Sequence, residues 1–211
     1  YMFRQNWNYD PSKQVALAVR QNIEDCVGAL QAQVDRGVIR AFGLSNESAW
    51  GTAQWLSAAE RTGGPRVASV QNEYSLMCRL YDTDMAELSV NEDVGLLSFS
   101  PLATGLLTGK YQGGAIPVGS RLSLSPELGG RKTDRAFEAV DAYIAVALRN
   151  GLDPTQMALA WCLRRPFMCS VIFGATNMAQ LNVALASIDL TLSDAVMEEL
   201  DITHRAFPMP Y

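Results

Sequence analysis

The sequence is short of the residues from which most metal and catalytic sites are built. It has one histidine, His204, in 211 residues. Zinc sites usually combine histidine with cysteine. The four cysteines, Cys26, Cys78, Cys162 and Cys169, never form a C-x-x-C pair. No metal site is expected, and the cysteines read as buried, reduced thiols of a cytoplasmic protein. Basic residues are in the minority: 17 Lys and Arg against 22 Asp and Glu give a net charge of −5. That argues against nucleic acid as a partner. No apolar run reaches the length of a membrane span, so no membrane partner is expected. The opening Tyr1-Met2-Phe3-Arg4-Gln5-Asn6 carries no basic-then-apolar signal. With 48% apolar and 18% charged residues, a disordered chain is excluded.

What is present is a unit of helix followed by strand, repeated. Asp10-Pro11 offers an N-cap with proline at the first helical position. Val15, Val19, Ile23, Val27, Leu30 and Val34 then recur at spacings of three and four, one apolar stripe of a helix. After Gly37, Val38 to Leu44 reads as a buried strand. A helix over 49–59 leads through Thr62-Gly63-Gly64-Pro65 into a strand over 67–71. A helix over 82–90 leads through Asn91-Glu92-Asp93 into a strand over 94–99. A long loop over 101–132 follows. Next come a helix striped by Phe137, Val140, Ile144 and Leu148 and ended at Asn150-Gly151, and a helix started by Asp153-Pro154. A strand over 169–173 precedes two closing helices, one over 178–186 and one capped by Ser193. Every crossover is long enough for parallel pairing. The alternation fits a barrel and a doubly wound sheet equally.

The polar residues fall in one kind of place, directly after each strand. Ser45-Asn46-Glu47, Gln71-Asn72-Glu73, Ser100 to Gly105 and Gly174-Ala175-Thr176-Asn177 lie at the carboxyl ends of the four strands. In parallel α/β architectures that edge holds the ligand. Taken singly, each residue reads as well as a helix cap or turn former; four successive strands ending this way favour a ligand. The chemistry suggested is amide-to-amide hydrogen bonding plus anion binding, with the Gly174-Ala175-Thr176 turn offering N–H groups to a phosphate.

Four segments resemble, in order and spacing, those of the aldo-keto reductase family. They are Gly43-Leu44-Ser45-Asn46, Gln71-Asn72-Glu73-Tyr74-Ser75-Leu76, the run from Ser98 to Tyr111, and Phe173-Gly174-Ala175-Thr176 with Gln180-Leu181. The likeness is greatest to bacterial members grouped with the potassium-channel beta subunits. It implies an α/β fold, the C-terminal half of a (β/α)8 TIM barrel, with residues 1–211 as one partial domain lacking the first four strands. It implies NADP(H) as cofactor and an aldehyde or ketone as substrate of the complete enzyme. Carried over, Ser45, Asn46 and Gln71 hold the nicotinamide carboxamide, and Phe99 stacks on its ring. Ser100, Pro101, Leu102, Ala103, Thr104, Gly105 and Leu107 line the pyrophosphate. Gly174 belongs to the phosphate turn, and Lys110, Arg121, Thr176 and Gln180 surround the adenosine phosphate.

The sequence departs from the family pattern in two places. Val183 and Ala184 stand where a Glu-Asn pair usually holds the adenine. The catalytic tyrosine, lysine, aspartate and histidine of the family match no residue here; His204 reads as a surface or packing residue. The chain alone is therefore expected to be inactive. A four-stranded half-barrel leaves two open sheet edges, so the chain is expected to be a truncated product, the partner of a complementary N-terminal half, or a self-associating half-barrel. A non-catalytic nucleotide-binding or regulatory module is the alternative.

Overall fold

The computed structural model describes Ser12 and residues 15–211. Among them eight α-helices and four strands alternate along the chain. Helix α1 (Ala16–Asp35) buries Val19, Ile23 and Val27. These pack with Ala58 and the half-buried Trp55. Its N-cap is Val15, without a side-chain cap bond; the expected cap at Asp10-Pro11 lies outside the described residues. Gly37 takes φ 69°, and the N–H of Val38 returns to the Gln33 carbonyl at 2.9 Å. That bond commits Val38 to closing the helix, so the strand starts later than expected. Strand β1 is Phe42–Ser45, and Val38 is exposed.

Helix α2 (Ala49–Thr62) is capped by Ser48, whose side chain accepts the Gly51 N–H, and ends at left-handed Gly63. Strand β2 (Val67–Glu73) follows, then helix α3 (Asp84–Glu92), stopped by Asp93 in the left-handed region, and strand β3 (Gly95–Phe99). The stretch expected as plain loop holds two 3-10 segments, Ala103–Thr108 and Gln112–Gly114, and the single-turn α4 (Arg121–Leu124). Apolar anchors tie it down: Tyr111, Leu122 and Leu128 are buried.

Helix α5 (Asp134–Arg149) buries Ala136, Ala139, Val140, Tyr143, Val146 and Ala147. The expected stripe was rotated, since Leu148 is exposed; small alanines supply much of the buried face. Asp153 caps α6 (Pro154–Leu163) by accepting the Gln156 N–H, with proline in the first turn. Strand β4 (Met168–Val171), helix α7 (Met178–Ala186) and helix α8 (Asp194–Ala206, capped by Ser193) complete the chain. The expectation for the cysteines holds in half. Cys78 and Cys162 are buried, but Cys26 is half-buried and Cys169, on β4, is exposed.

The fold is of the α/β class, four parallel strands alternating with helices. The strands are hydrogen-bonded in the order β1-β2-β3-β4, and β1 pairs with β2 in parallel, Ser45 opposite Gln71. The chain forms two compact units. One takes in the described residues up to Asn72 with Leu80–Leu97; the other is Glu73–Arg79 with Ser98–Tyr211. In the second, Trp161 is fully buried. Tyr74 stacks on it at 5.2 Å, and Phe167 meets Tyr74 edge-on at 5.7 Å. Among the described residues no helix is long and apolar enough to cross a membrane.

Candidate functional site

In the first unit, Ser45, Asn46 and Gln71 come together at the carboxyl ends of β1 and β2. The Asn46 N–H donates to the Gln71 carbonyl at 2.9 Å, and its side-chain amide reaches the Ser45 hydroxyl at 3.4 Å. Asn46 takes φ 52°, a left-handed conformation that asparagine tolerates better than most residues. The two strands lie close here. A Cβ on Gly43 would stand 2.5 Å from the Ser69 Oγ and 2.9 Å from its carbonyl oxygen.

Two further residues hold this turn; both lie in the polar segments read from the sequence, which gives neither a role of its own. Asn72, 1% exposed, accepts the Glu47 N–H at 3.0 Å and donates to the Glu47 carbonyl at 2.9 Å. The Glu47 carboxylate is itself buried and accepts the Ser48 N–H at 2.8 Å. Burial pushes its carboxyl above the usual value, outweighing that N–H and its other hydrogen bonds. The Asn following Gln71 was the available signal, but an asparagine after a strand reads as an ordinary turn former.

In the second unit, Phe99 ends β3 half-buried, and its carbonyl accepts the Tyr74 N–H at 3.3 Å. The segment after it is bent through successive left-handed residues: Ser100 (φ 53°), Ala103 (47°), Thr104 (58°), Gly105 (96°) and Gly109 (76°). The Leu102 carbonyl ties it together, accepting N–H groups from Gly105 at 2.9 Å and Leu107 at 3.2 Å. Pro101, Ala103 and Leu107 are buried, so these residues have mainly backbone to offer a ligand. Gly105 has no spare room for a side chain: a Cβ there would meet the Lys110 Cε at 3.0 Å and its Nζ at 3.1 Å. The Lys110 ammonium also lies 5.1 Å from the Tyr111 ring centre. The Tyr111 hydroxyl accepts the Leu122 N–H at 3.3 Å, which ties α4, and exposed Arg121 at its start, to the Lys110 segment.

Gly174, Thr176 and Gln180 are exposed beyond β4. The turn is less open than the sequence suggests. The Thr176 N–H donates to the Gln180 Oε1 at 2.9 Å and its hydroxyl meets the same oxygen at 3.1 Å. Helix α7 is capped one residue later, by Asn177. Ala184 is buried on α7 and Val183 half-buried. His204 sits half-buried in the last turn of α8.

The model of the aldo/keto reductase family matches residues 6–205. Protein tas of Escherichia coli is 41% identical over 186 residues, covering 88% of this chain and 54% of that protein. An aldo-keto reductase of Babesia bovis is 36% identical over 86% of this chain and 67% of its own length. A probable voltage-gated potassium channel subunit beta of Arabidopsis thaliana is 34% identical over 88% of this chain and 58% of its own. The chain thus spans somewhat more than half the length of these relatives. The match runs through all four strands and the polar segments that end them, and the chain belongs to the aldo/keto reductase family of oxidoreductases.

Proposed function

We propose that the chain is the NADP(H)-binding part of an aldo-keto reductase that reduces aldehydes or ketones. The observation that carries this is the segment after β3. Ser100, Ala103 and Thr104 all hold positive φ without being glycine, at roughly 1 kcal/mol or more each. Strain of this kind gathers at ligand clamps. The same segment sets the Lys110 ammonium against the bare backbone of Gly105, an arrangement that suits a phosphate oxygen.

In this reading Ser100, Pro101, Leu102, Ala103, Thr104, Gly105 and Leu107 front the pyrophosphate. Ser45, Asn46 and Gln71 satisfy the donor and acceptor of the carboxamide, and Phe99 covers the nicotinamide ring. Lys110, Arg121, Gly174, Thr176 and Gln180 serve the adenosine phosphate, where positive charge favours NADP(H) over NAD(H). Val183 and Ala184 leave the adenine with less to hold it. Bound NADPH would supply the hydride; the residues of this chain bind and orient it.

This reading takes the proton donor from outside the chain, because a general acid has to stand within reach of the carbonyl oxygen and the family's catalytic tyrosine, lysine, aspartate and histidine match no residue of the sequence. Of the described tyrosines, Tyr143 donates its hydroxyl proton to the Leu76 carbonyl and Tyr211 to the Glu73 carboxylate. Tyr74 accepts the Arg165 N–H, Tyr111 accepts the Leu122 N–H and Tyr81 shares a hydrogen bond with Ser89; all three are fully buried. On the motif comparison we read residues 1–211 as one partial barrel domain, inactive alone. Its substrate site is completed by a complementary N-terminal half or a second copy, in the cytoplasm. The channel-subunit relative favours a second reading, a regulatory module that binds the nucleotide and turns nothing over.

The test is titration of the chain with NADPH and NADH, followed by tryptophan fluorescence, with an aldehyde added at saturation. Saturable binding, tighter for NADPH, without NADPH consumption is expected. A flat titration overturns cofactor binding. Consumption of NADPH overturns the claim of inactivity. A complementary half that restores turnover separates the enzyme from the regulatory module.

A further inference from the structure

We infer that Asn72 is a positioning residue for the nicotinamide end of the cofactor site, an assignment that rests on the cofactor reading above. Asn72 stands one residue beyond Gln71, the last paired residue of β2 in the β1–β2 ladder. Register runs Gly43 with Ser69, Leu44 with Val70 and Ser45 with Gln71, and the Asn46 N–H adds one more rung to the Gln71 carbonyl. There the chain must leave the sheet after β1, because Ser48 already caps α2. Only Asn46 and Glu47 lie between the last residue of β1 and that cap.

The backbone of Glu47 would lose its ladder partners at this point. The Asn72 side chain replaces them. Its amide carries the same donor and acceptor as a peptide unit, and it meets both backbone groups of Glu47, at 3.0 Å and 2.9 Å. Asn46 is thus held on both sides, by the Gln71 backbone and by the Asn72 clamp on its neighbour. That holds it in a left-handed conformation (φ 52°) which an isolated turn would relax. Asn72 touches no ligand in this account. It fixes the direction of the Ser45 and Asn46 side chains that meet the carboxamide.

The chemistry of the clamp is specific. Aspartate accepts the Glu47 N–H but turns an acceptor towards the Glu47 carbonyl. Alanine leaves two buried backbone groups without partners. Neither change touches the segment after β3 or the residues assigned to the adenosine phosphate.

The experiment compares two ligands on the chain and on its Asn72→Asp and Asn72→Ala variants. NADP⁺ carries both ends; 2′,5′-ADP carries only the adenosine end. A positioning role predicts NADP⁺ binding weaker by about tenfold in Asn72→Asp, the scale of one lost hydrogen bond, with 2′,5′-ADP affinity unchanged. Near-UV circular dichroism establishes that each variant is folded, and Asn72→Asp decides the matter if Asn72→Ala does not fold. Equal weakening of both ligands means a general structural role and overturns the assignment. Unchanged NADP⁺ affinity in both variants overturns it too. Binding of neither ligand by the parent chain brings down the cofactor reading, and this assignment with it.

Discussion

Arg131 grips Glu73 with two parallel hydrogen bonds, Nε to Oε1 at 2.8 Å and Nη2 to Oε2 at 2.6 Å. The Glu73 side chain is 4% exposed and that of Arg131 15%. The Tyr211 hydroxyl donates to the same carboxylate at 3.0 Å, and the Arg131 guanidinium lies 5.7 Å from the Tyr211 ring centre. The carboxylate outweighs burial and holds the guanidinium above its usual value. A carboxylate at the end of β2 thus anchors both the segment before α5 and the last residue of the chain.

Removing one partner leaves the other charge buried without compensation, which costs about 3–5 kcal/mol. Arg131→Ala should lower the urea midpoint accordingly. Arg131→Lys should recover little, since an ammonium cannot match the two-pronged geometry. A midpoint within experimental error of the parent would show that water enters and solvates Glu73.

Gly43→Ala tests how closely β1 and β2 approach. The added Cβ would overlap the Ser69 Oγ and, at 2.9 Å, its backbone oxygen. A rotamer change at Ser69 relieves only the first clash. A loss of roughly 1–3 kcal/mol is expected from overpacking, and Ser69→Ala in the same chain should restore only part of it. Full rescue would mean that the backbones can separate freely.

Glu47 predicts a pH dependence with a definite sign. Its folded carboxyl titrates above the ordinary 4.5 because of burial. A group raised in this way favours folding while protonated, and the contribution fades as pH rises through its folded value. Glu47→Gln keeps an acceptor for the Ser48 N–H and removes the buried charge. The variant should therefore be the more stable at neutral pH, with the difference closing below pH 4.5. Urea midpoints across that range measure it. A variant less stable at neutral pH would mean that the charge at the start of α2 is favourable on balance.

Arg121 is exposed at the start of α4, so its removal should leave the fold intact. If it meets the adenosine phosphate, Arg121→Ala weakens NADPH by about tenfold, the scale of one charge-assisted hydrogen bond. NADH, which lacks that phosphate, should bind unchanged. Equal losses for both cofactors, read by fluorescence titration, would move Arg121 to the pyrophosphate or out of the site.

Much of the helical pattern is legible in the sequence. Asp153-Pro154 and Ser193 mark helix starts because the group that each side chain caps lies three residues away. The polar segments after each strand were legible for a related reason, since strand ends and turns announce themselves in short windows. Strand β1 starts at Phe42 and not at Val38, although Val38 and Ile39 look like strand residues on β propensity alone. Their N–H groups are drawn back to the Gln33 carbonyl, which no local preference records. Leu148 was misassigned because alanines, apolar but small, fill the buried face of α5.

Local sequence is enough to specify the α/β class, the order of the strands and the longer helices, and the family. Those rest on periodicity, caps and motifs, all properties of neighbouring residues. Which polar residues hold the others in place depends instead on how distant segments pack. Asn72 meets Glu47 across 25 positions, and Arg131 meets Glu73 across 58. At such separations the partner of a side chain is set by how strands and loops pack, because burial, not sequence distance, makes leaving either group unpaired costly.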